Sequence, residues 1–308
     1  MTRRTLRGAV ALACLGLAPA TMAQAHGIAG DRVFPATLTI DDPAVGDELS
    51  LPTFSYKPQG QSREYDYGIE WDKTITKDLG LSFNESYTNI RQSRDLGGNA
   101  SGWGDPVVTL KYQFFENDAH EILASIGVQK EFGGVGAVDH GLADATGWTQ
   151  PTLYVGKGLG DLPAELGLLR PIAFTGELGY QWADQPHQLA DDGTYSPNPD
   201  LWNFGFSIQY NLQYLRAQVK DYGLPDFINN TIPLVEFSYA TPASPSHDGS
   251  TTTGTIAPGL LYEGNTFQLG MEALLPVNHA SGNHAGMIAQ VHFYLDDIFP
   301  TSLGKPLF

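Results

Sequence analysis

Residues Leu201 to Tyr214 read Leu-Trp-Asn-Phe-Gly-Phe-Ser-Ile-Gln-Tyr-Asn-Leu-Gln-Tyr and alternate without a break. Trp202, Phe204, Phe206, Ile208, Tyr210, Leu212 and Tyr214 share one face of an extended chain, and Asn203, Gly205, Ser207, Gln209, Asn211 and Gln213 share the other. A period of 2 belongs to a strand with one apolar face. Soluble strands run ~5–6 residues, whereas a tilted strand crossing a bilayer needs ~9–11. So long an apolar face, with aromatics at both ends, suits lipid with an aromatic girdle at each interface. Phe206 and Ile208 then face lipid, and Ser207 and Gln209 face an interior.

The pattern recurs. Tyr65, Tyr67, Ile69 and Trp71 oppose Asp66, Gly68, Glu70 and Asp72; Ile172, Phe174, Leu178, Tyr180 and Trp182 oppose Thr175, Glu177 and Gln181; Phe267, Leu269, Met271, Ala273 and Leu275 oppose Gln268, Gly270 and Glu272. Read this way, strands are expected at about 47–58, 63–75, 80–92, 105–116, 120–132, 148–158, 170–184, 201–214, 230–241, 253–262, 266–277 and 285–296. Pro52 and Pro258 weaken the first and tenth, because proline cannot donate to a ladder.

Connections alternate in length. Thr76–Leu79, Glu116–His120 and Glu263–Asn265 are short, while 93–104, 133–147, 185–200, 242–252 and 278–284 are longer and rich in Gly, Asp and Ser. Short turns on one side and long loops on the other describe an outer-membrane barrel. Two short-side connections, 159–169 and 215–229, exceed the rule and leave room for a helical turn each. The fold expected is all-β: an antiparallel transmembrane barrel of about twelve strands, with both ends on the short-turn, periplasmic side.

The start of the chain reads as an export signal. Arg3, Arg4 and Arg7 precede an apolar run from Gly8 to Ala20, and Ala23-Gln24-Ala25 supplies a cleavage site. That run, which holds Cys14, is too short for a spanning helix. Of 17 Lys and Arg, three lie in this segment, which leaves 14 against 34 Asp and Glu, formally −20. Such an acidic chain is not built for nucleic acid, and without Cys14 it has no disulfide framework. The organisation expected is a signal at 1–25, an irregular periplasmic or plug leader at 26–46, a barrel at 47–296 and a tail at 297–308. Gly304 and Pro306 exclude the tail from the ladder.

The signal, the leader with Phe34-Pro35, twelve amphipathic strands and the terminal Phe308 resemble the Gram-negative outer-membrane transport barrels, the MetA-like phenol-degradation family nearest among them. The resemblance covers residues 47–308 by pattern and implies a transporter in the cell outer membrane.

The inward-facing set is mostly acidic: Asp66, Glu70, Asp72, Glu131, Glu177, Glu236 and Glu272, against Lys111. Such a lumen favours cations, so the expected function is an outer-membrane channel for small solutes, cation-preferring and not an enzyme. Two alternatives stand beside it: a lipid hydrolase using Ser281 and His279 (His-x-Ser spacing), and a soluble periplasmic β protein that binds a ligand. His26, His120, His140, His187, His247 and His284 are too loosely spaced for a metal site, and no cofactor is expected. Gly133-Gly-Val-Gly136 opens a polar loop, not a helix, which excludes a dinucleotide site. The expected partners are outer-membrane lipid, the barrel-assembly machinery and a small-molecule solute.

Overall fold

Twelve strands close on themselves in chain order: β1 (Glu48–Gln59), β2 (Ser62–Thr76), β3 (Leu79–Arg91), β4 (Val107–Asn117), β5 (Ile122–Glu131), β6 (Trp148–Gly158), β7 (Ile172–Ala183), β8 (Leu201–Tyr210), β9 (Thr231–Pro242), β10 (Thr253–Glu263), β11 (Phe267–Pro276) and β12 (Gly286–Tyr294). Every neighbouring pair is antiparallel, and β12 pairs with β1 to complete the ring. The computed structural model describes residues 27–189, 195–243 and 251–308. The export signal expected at 1–25, His26 and His247 lie outside the described residues. Closure leaves no row of unpaired backbone groups, which is what lets strands cross lipid. No helix among the described residues is long and apolar enough to cross a membrane.

Leu81, Phe83, Leu110, Ile126, Val128, Phe206, Ile208, Leu260, Leu269 and Met271 all lie exposed on the outer surface. Their rings pack across strands: Phe206 stacks on Phe237 with centroids 4.5 Å apart, and Tyr180 meets Trp202 edge-on at 4.7 Å. An arginine here would sit in hydrocarbon. Ile208→Arg is expected to cost ~2–4 kcal/mol, read as loss of heat-modifiable folded barrel. Asn84→Arg, which points into the open interior, is expected to assemble; equal loss in both would reverse the assignment of faces.

Three expectations need correction. The eighth strand ends at Tyr210, not at residue 214. The Asn211 side chain accepts the Tyr214 amide at 2.8 Å and caps a helical turn, α1 (Leu212–Tyr214); an Asn that satisfies a free amide stops a strand more effectively than alternation extends it. Tyr214 is therefore buried rather than lipid-facing. In β1, Pro52 sits in a bulge: Ser50 pairs with Glu70 and Thr53 with Gly68. Leu51 and Pro52 are both exposed, so the phase flips and Glu48 and Ser50 join Ser55 on the inner face. The interior is not polar throughout. Leu123, Ala173, Ile232, Leu234 and Leu261 are buried toward the short-turn rim, where they form two clusters that take in Ala29 and Phe34 in one and Leu38 in the other. These wall positions are apolar because chain, not water, covers them.

Both oversized short-side connections carry helical turns, at Ala164–Leu169 and at α1 with α2 (Asp226–Asn229). After β12 the chain forms α3 (Leu295–Ile298), and the tail runs along the rim until the Leu307 and Phe308 amides donate to the carbonyls of Thr74 and Ile75 at 3.2 and 3.0 Å.

Candidate functional site

The leader enters the barrel. It starts at the short-turn rim as a hairpin of Gly27–Ala29 with Arg32–Phe34. The Gly30 amide donates to Asp118 in the β4–β5 turn at 2.9 Å. The fully buried Arg32 guanidinium meets Glu121 at 3.0 Å and donates to the carbonyls of Pro171 and Arg170 at 3.0 and 2.5 Å. Tyr214 stacks under it at 3.9 Å and donates to the same glutamate at 2.8 Å. Burial and that hydrogen bond to Glu121 push the Tyr214 phenol up to about 12.

Beyond the hairpin the leader crosses the interior. Its Leu38 and Thr39 amides donate to the Glu236 carboxylate at 3.0 and 2.6 Å, joined by the Thr39 hydroxyl. Gln268 donates to the Ala36 carbonyl at 2.6 Å, and Ser125 to that of Pro43. Asp41 pairs with Lys111 at 2.8 Å, and that lysine also donates to the Asp42 carbonyl at 3.0 Å. Gly205 and Gly270 stand where Ile40 and Leu38 press on the wall, with no room for a Cβ. The leader rejoins the rim at Asp47, which takes Lys73 at 2.5 Å and the Thr74 amide at 3.0 Å.

This path uses contacts on β4 to β9 and β11. A cavity of about 1110 Å³ remains, floored by the leader and lined most heavily by β1, β2 and β3. Its lining runs from Ser281 in a long loop to Lys73 and Gly80 near the opposite rim. One face of β2 presents Glu64, Asp66, Glu70 and Asp72 to it, and β3 faces it with Ser82, Asn84, Ser86 and Thr88. Eight carboxylates and three lysines line the cavity.

The residues expected in the lumen separate into groups. Asp66, Glu70, Asp72, Lys111 and Glu177 line the cavity. Asp66 holds Lys57 at 3.0 Å and accepts from Ser55 and Thr88 at 2.7 Å each; Asp72 accepts from Ser82; Glu177 accepts the Asp41 amide at 3.4 Å. Glu236 and Glu272 lie inside but under the leader, fully buried. Glu272 rests on Gly259 and leans toward Glu236. Glu131 sits at the long-loop end of β5, outside the cavity lining.

The Ser281 and His279 pair is not brought together. The Ser281 hydroxyl donates to Asn278 at 2.9 Å and accepts the Gly254 amide at 2.8 Å, while His279 bonds Asn283 at 2.5 Å. Among the described residues, no three His, Cys, Asp or Glu side chains are gathered as a metal ion would require.

A closed ring of strands with an apolar outside and a polar inside must be solvated by lipid, and solved structures share the arrangement. The fold is that of an outer-membrane channel barrel. An outer membrane channel from Pseudomonas putida F1 aligns with 85% of this chain and 99% of its own, at 12% identity and a TM-score of 0.58. The NanC porin (11% identity, 79% of this chain and 97% of its own, TM-score 0.48) and the KdgM porin (10%, 80% and 98%, 0.46) give a looser likeness. No protein-family model and no curated protein matches the chain. With its lipid-facing band, this fold belongs in the cell outer membrane.

Several residues of the site escape a reading of alternation. Glu48 was hidden by the bulge at Pro52. Asp41, Asp42 and Arg32 lie in a leader without period, and Gln290 and His292 sit on the inner face of β12, opposite Ala289, Val291 and Phe293. An Arg and two adjacent Asp in an aperiodic segment beside an acidic barrel were the one available signal.

Proposed function

We infer that the protein is an outer-membrane channel for small solutes that prefers cations. What carries this reading is the cavity between the leader and the β1–β3 wall, where eight carboxylates meet three lysines. Two of those lysines are already engaged inside the lining, Lys57 with Glu64 and Asp66 and Lys111 with Asp41. In a narrow, partly desolvated passage the surplus concentrates cations, and added salt weakens the effect. Membership of the MetA-like barrels is part of the same reading, supported by the leader, the strand number and Phe308. So are its partners: outer-membrane lipid, the assembly machinery that inserts such barrels, and the solute itself.

The test is the reversal potential of single channels across a KCl gradient in planar bilayers. A potassium preference is expected, moving toward zero in the triple variant Glu70→Gln, Asp72→Asn, Glu177→Gln, which keeps size and shape. A chloride preference in the parent would overturn it.

A further inference from the structure

The lower part of the β12–β1–β2 wall has a feature that general cation preference does not explain. Glu48 faces Asp72 directly across β1 and β2, and Ser50 faces Glu70 two pairs further up. Like charges directly opposite on neighbouring strands repel. Each of the three lysines lining the cavity makes its ion pair with a different carboxylate: Lys57 with Glu64 and Asp66, Lys111 with Asp41 and Lys73 with Asp47. Glu70 has no hydrogen-bond or ion-pair partner among the described residues. Next to these carboxylates, on β12, Gln290 donates its amide to Thr53 at 3.0 Å and leaves its carbonyl oxygen buried without a partner, in a side chain only 7% exposed. Gln290 belongs to the lining of the same cavity. His292 reaches Glu48 at 3.2 Å and Ser50 at 2.9 Å, which closes the lower edge.

Glu48, Glu70, Asp72 and the free Gln290 oxygen are all acceptors. A group that satisfies them must bring positive charge and several N–H donors. The carboxylates do not gather as a metal ion would require. Glu70 and Asp72 alternate on one strand face, which sets them about 7 Å apart. The geometry points to a binding site for organic primary ammonium ions on this wall, best filled by a linear diamine whose two ends reach Glu70 and Asp72. This deepens, and rests on, the reading of the lumen as a cation-preferring passage.

The probe is 1,4-diaminobutane, with 1,4-butanediol and tetramethylammonium as controls. It is titrated into the refolded full-length barrel by calorimetry and added to single channels in KCl. The diamine is expected to bind and to interrupt the potassium current, and both controls to do neither. Glu70→Gln with Asp72→Gln should weaken the diamine about tenfold or more, as expected for lost charge-assisted hydrogen bonds. Gln290→Leu, which leaves the carboxylates intact, should weaken it less. Equal effects of tetramethylammonium and the diamine, or a diamine effect untouched by these substitutions, would overturn the site. A normal potassium current with no diamine effect overturns the site and leaves the channel standing. Diamine binding to a barrel that passes no current supports the site and removes the channel.

Discussion

Deleting residues 27–46 from the exported chain is expected to raise single-channel conductance severalfold. In the intact barrel the leader fills the space beside β4 to β9 and β11, and solute is confined to the side of β1 to β3. Small barrels of eight strands are filled by their own side chains, whereas those of sixteen or more leave a channel. A ring of twelve needs the extra segment to stay narrow. Removal takes Asp41 and Asp42 away and uncovers Glu236 and Glu272, so the number of lumen acids is kept while conductance rises. Planar-bilayer recordings of the parent and the deletion decide it. An unchanged conductance would show that the leader does not limit flow.

The second large effect is expected at Arg32. Its guanidinium is fully buried and holds Glu121, whose backbone lies at φ 49°, a conformation unfavourable for a residue with a side chain. Glu121 stays there because Arg32, the Gly160 amide at 2.9 Å and the Tyr214 hydroxyl all bond its carboxylate. Arg32→Ala leaves that charge buried and unpaired, at a cost of ~3–5 kcal/mol. Urea titration of the folded barrel, followed by heat-modifiable migration, measures the loss. Glu121→Gln in the same background should restore part of it, because the double variant no longer buries a lone charge. A single variant within 1 kcal/mol of the parent would show that the pair does not hold the leader.

The strands were legible and the leader was not, for one physical reason. A strand between lipid and a polar interior is under a two-sided constraint at every second residue, so β7 and β11 print their boundaries in the sequence. The leader packs with all its sides against different strands. Phe34 meets Gly156, Ile40 meets Gly205, Leu38 meets Gly270, and no period links them. The wall hid its share of the site the same way. Leu123, Ile232 and Leu234 read as strand residues of no special kind, although they are where the leader docks. Of the acids expected in the lumen, Asp66, Glu70, Asp72 and Glu177 border the cavity, Glu236 and Glu272 lie under the leader, and Glu131 lies outside the lining. Their division into cavity-lining residues, such as Glu70 and Asp72, and leader clamps, such as Glu236, depends on where an aperiodic segment runs.

The leader leaves the rim at the Arg32 hairpin and returns to the same rim at Asp47. It is therefore a bight rather than a cork: a length of chain pushed through a ring and fastened on one side only. Pulled back, it would trail in the periplasm still attached to β1, with no covalent bond broken and no barrel strand unpaired, although its hydrogen bonds and ion pairs to the wall would be lost. Re-entry would be a unimolecular event, driven by a local concentration on the order of millimolar for a short flexible tether. An open barrel of this kind refills itself, and holding it open requires something that occupies the withdrawn segment.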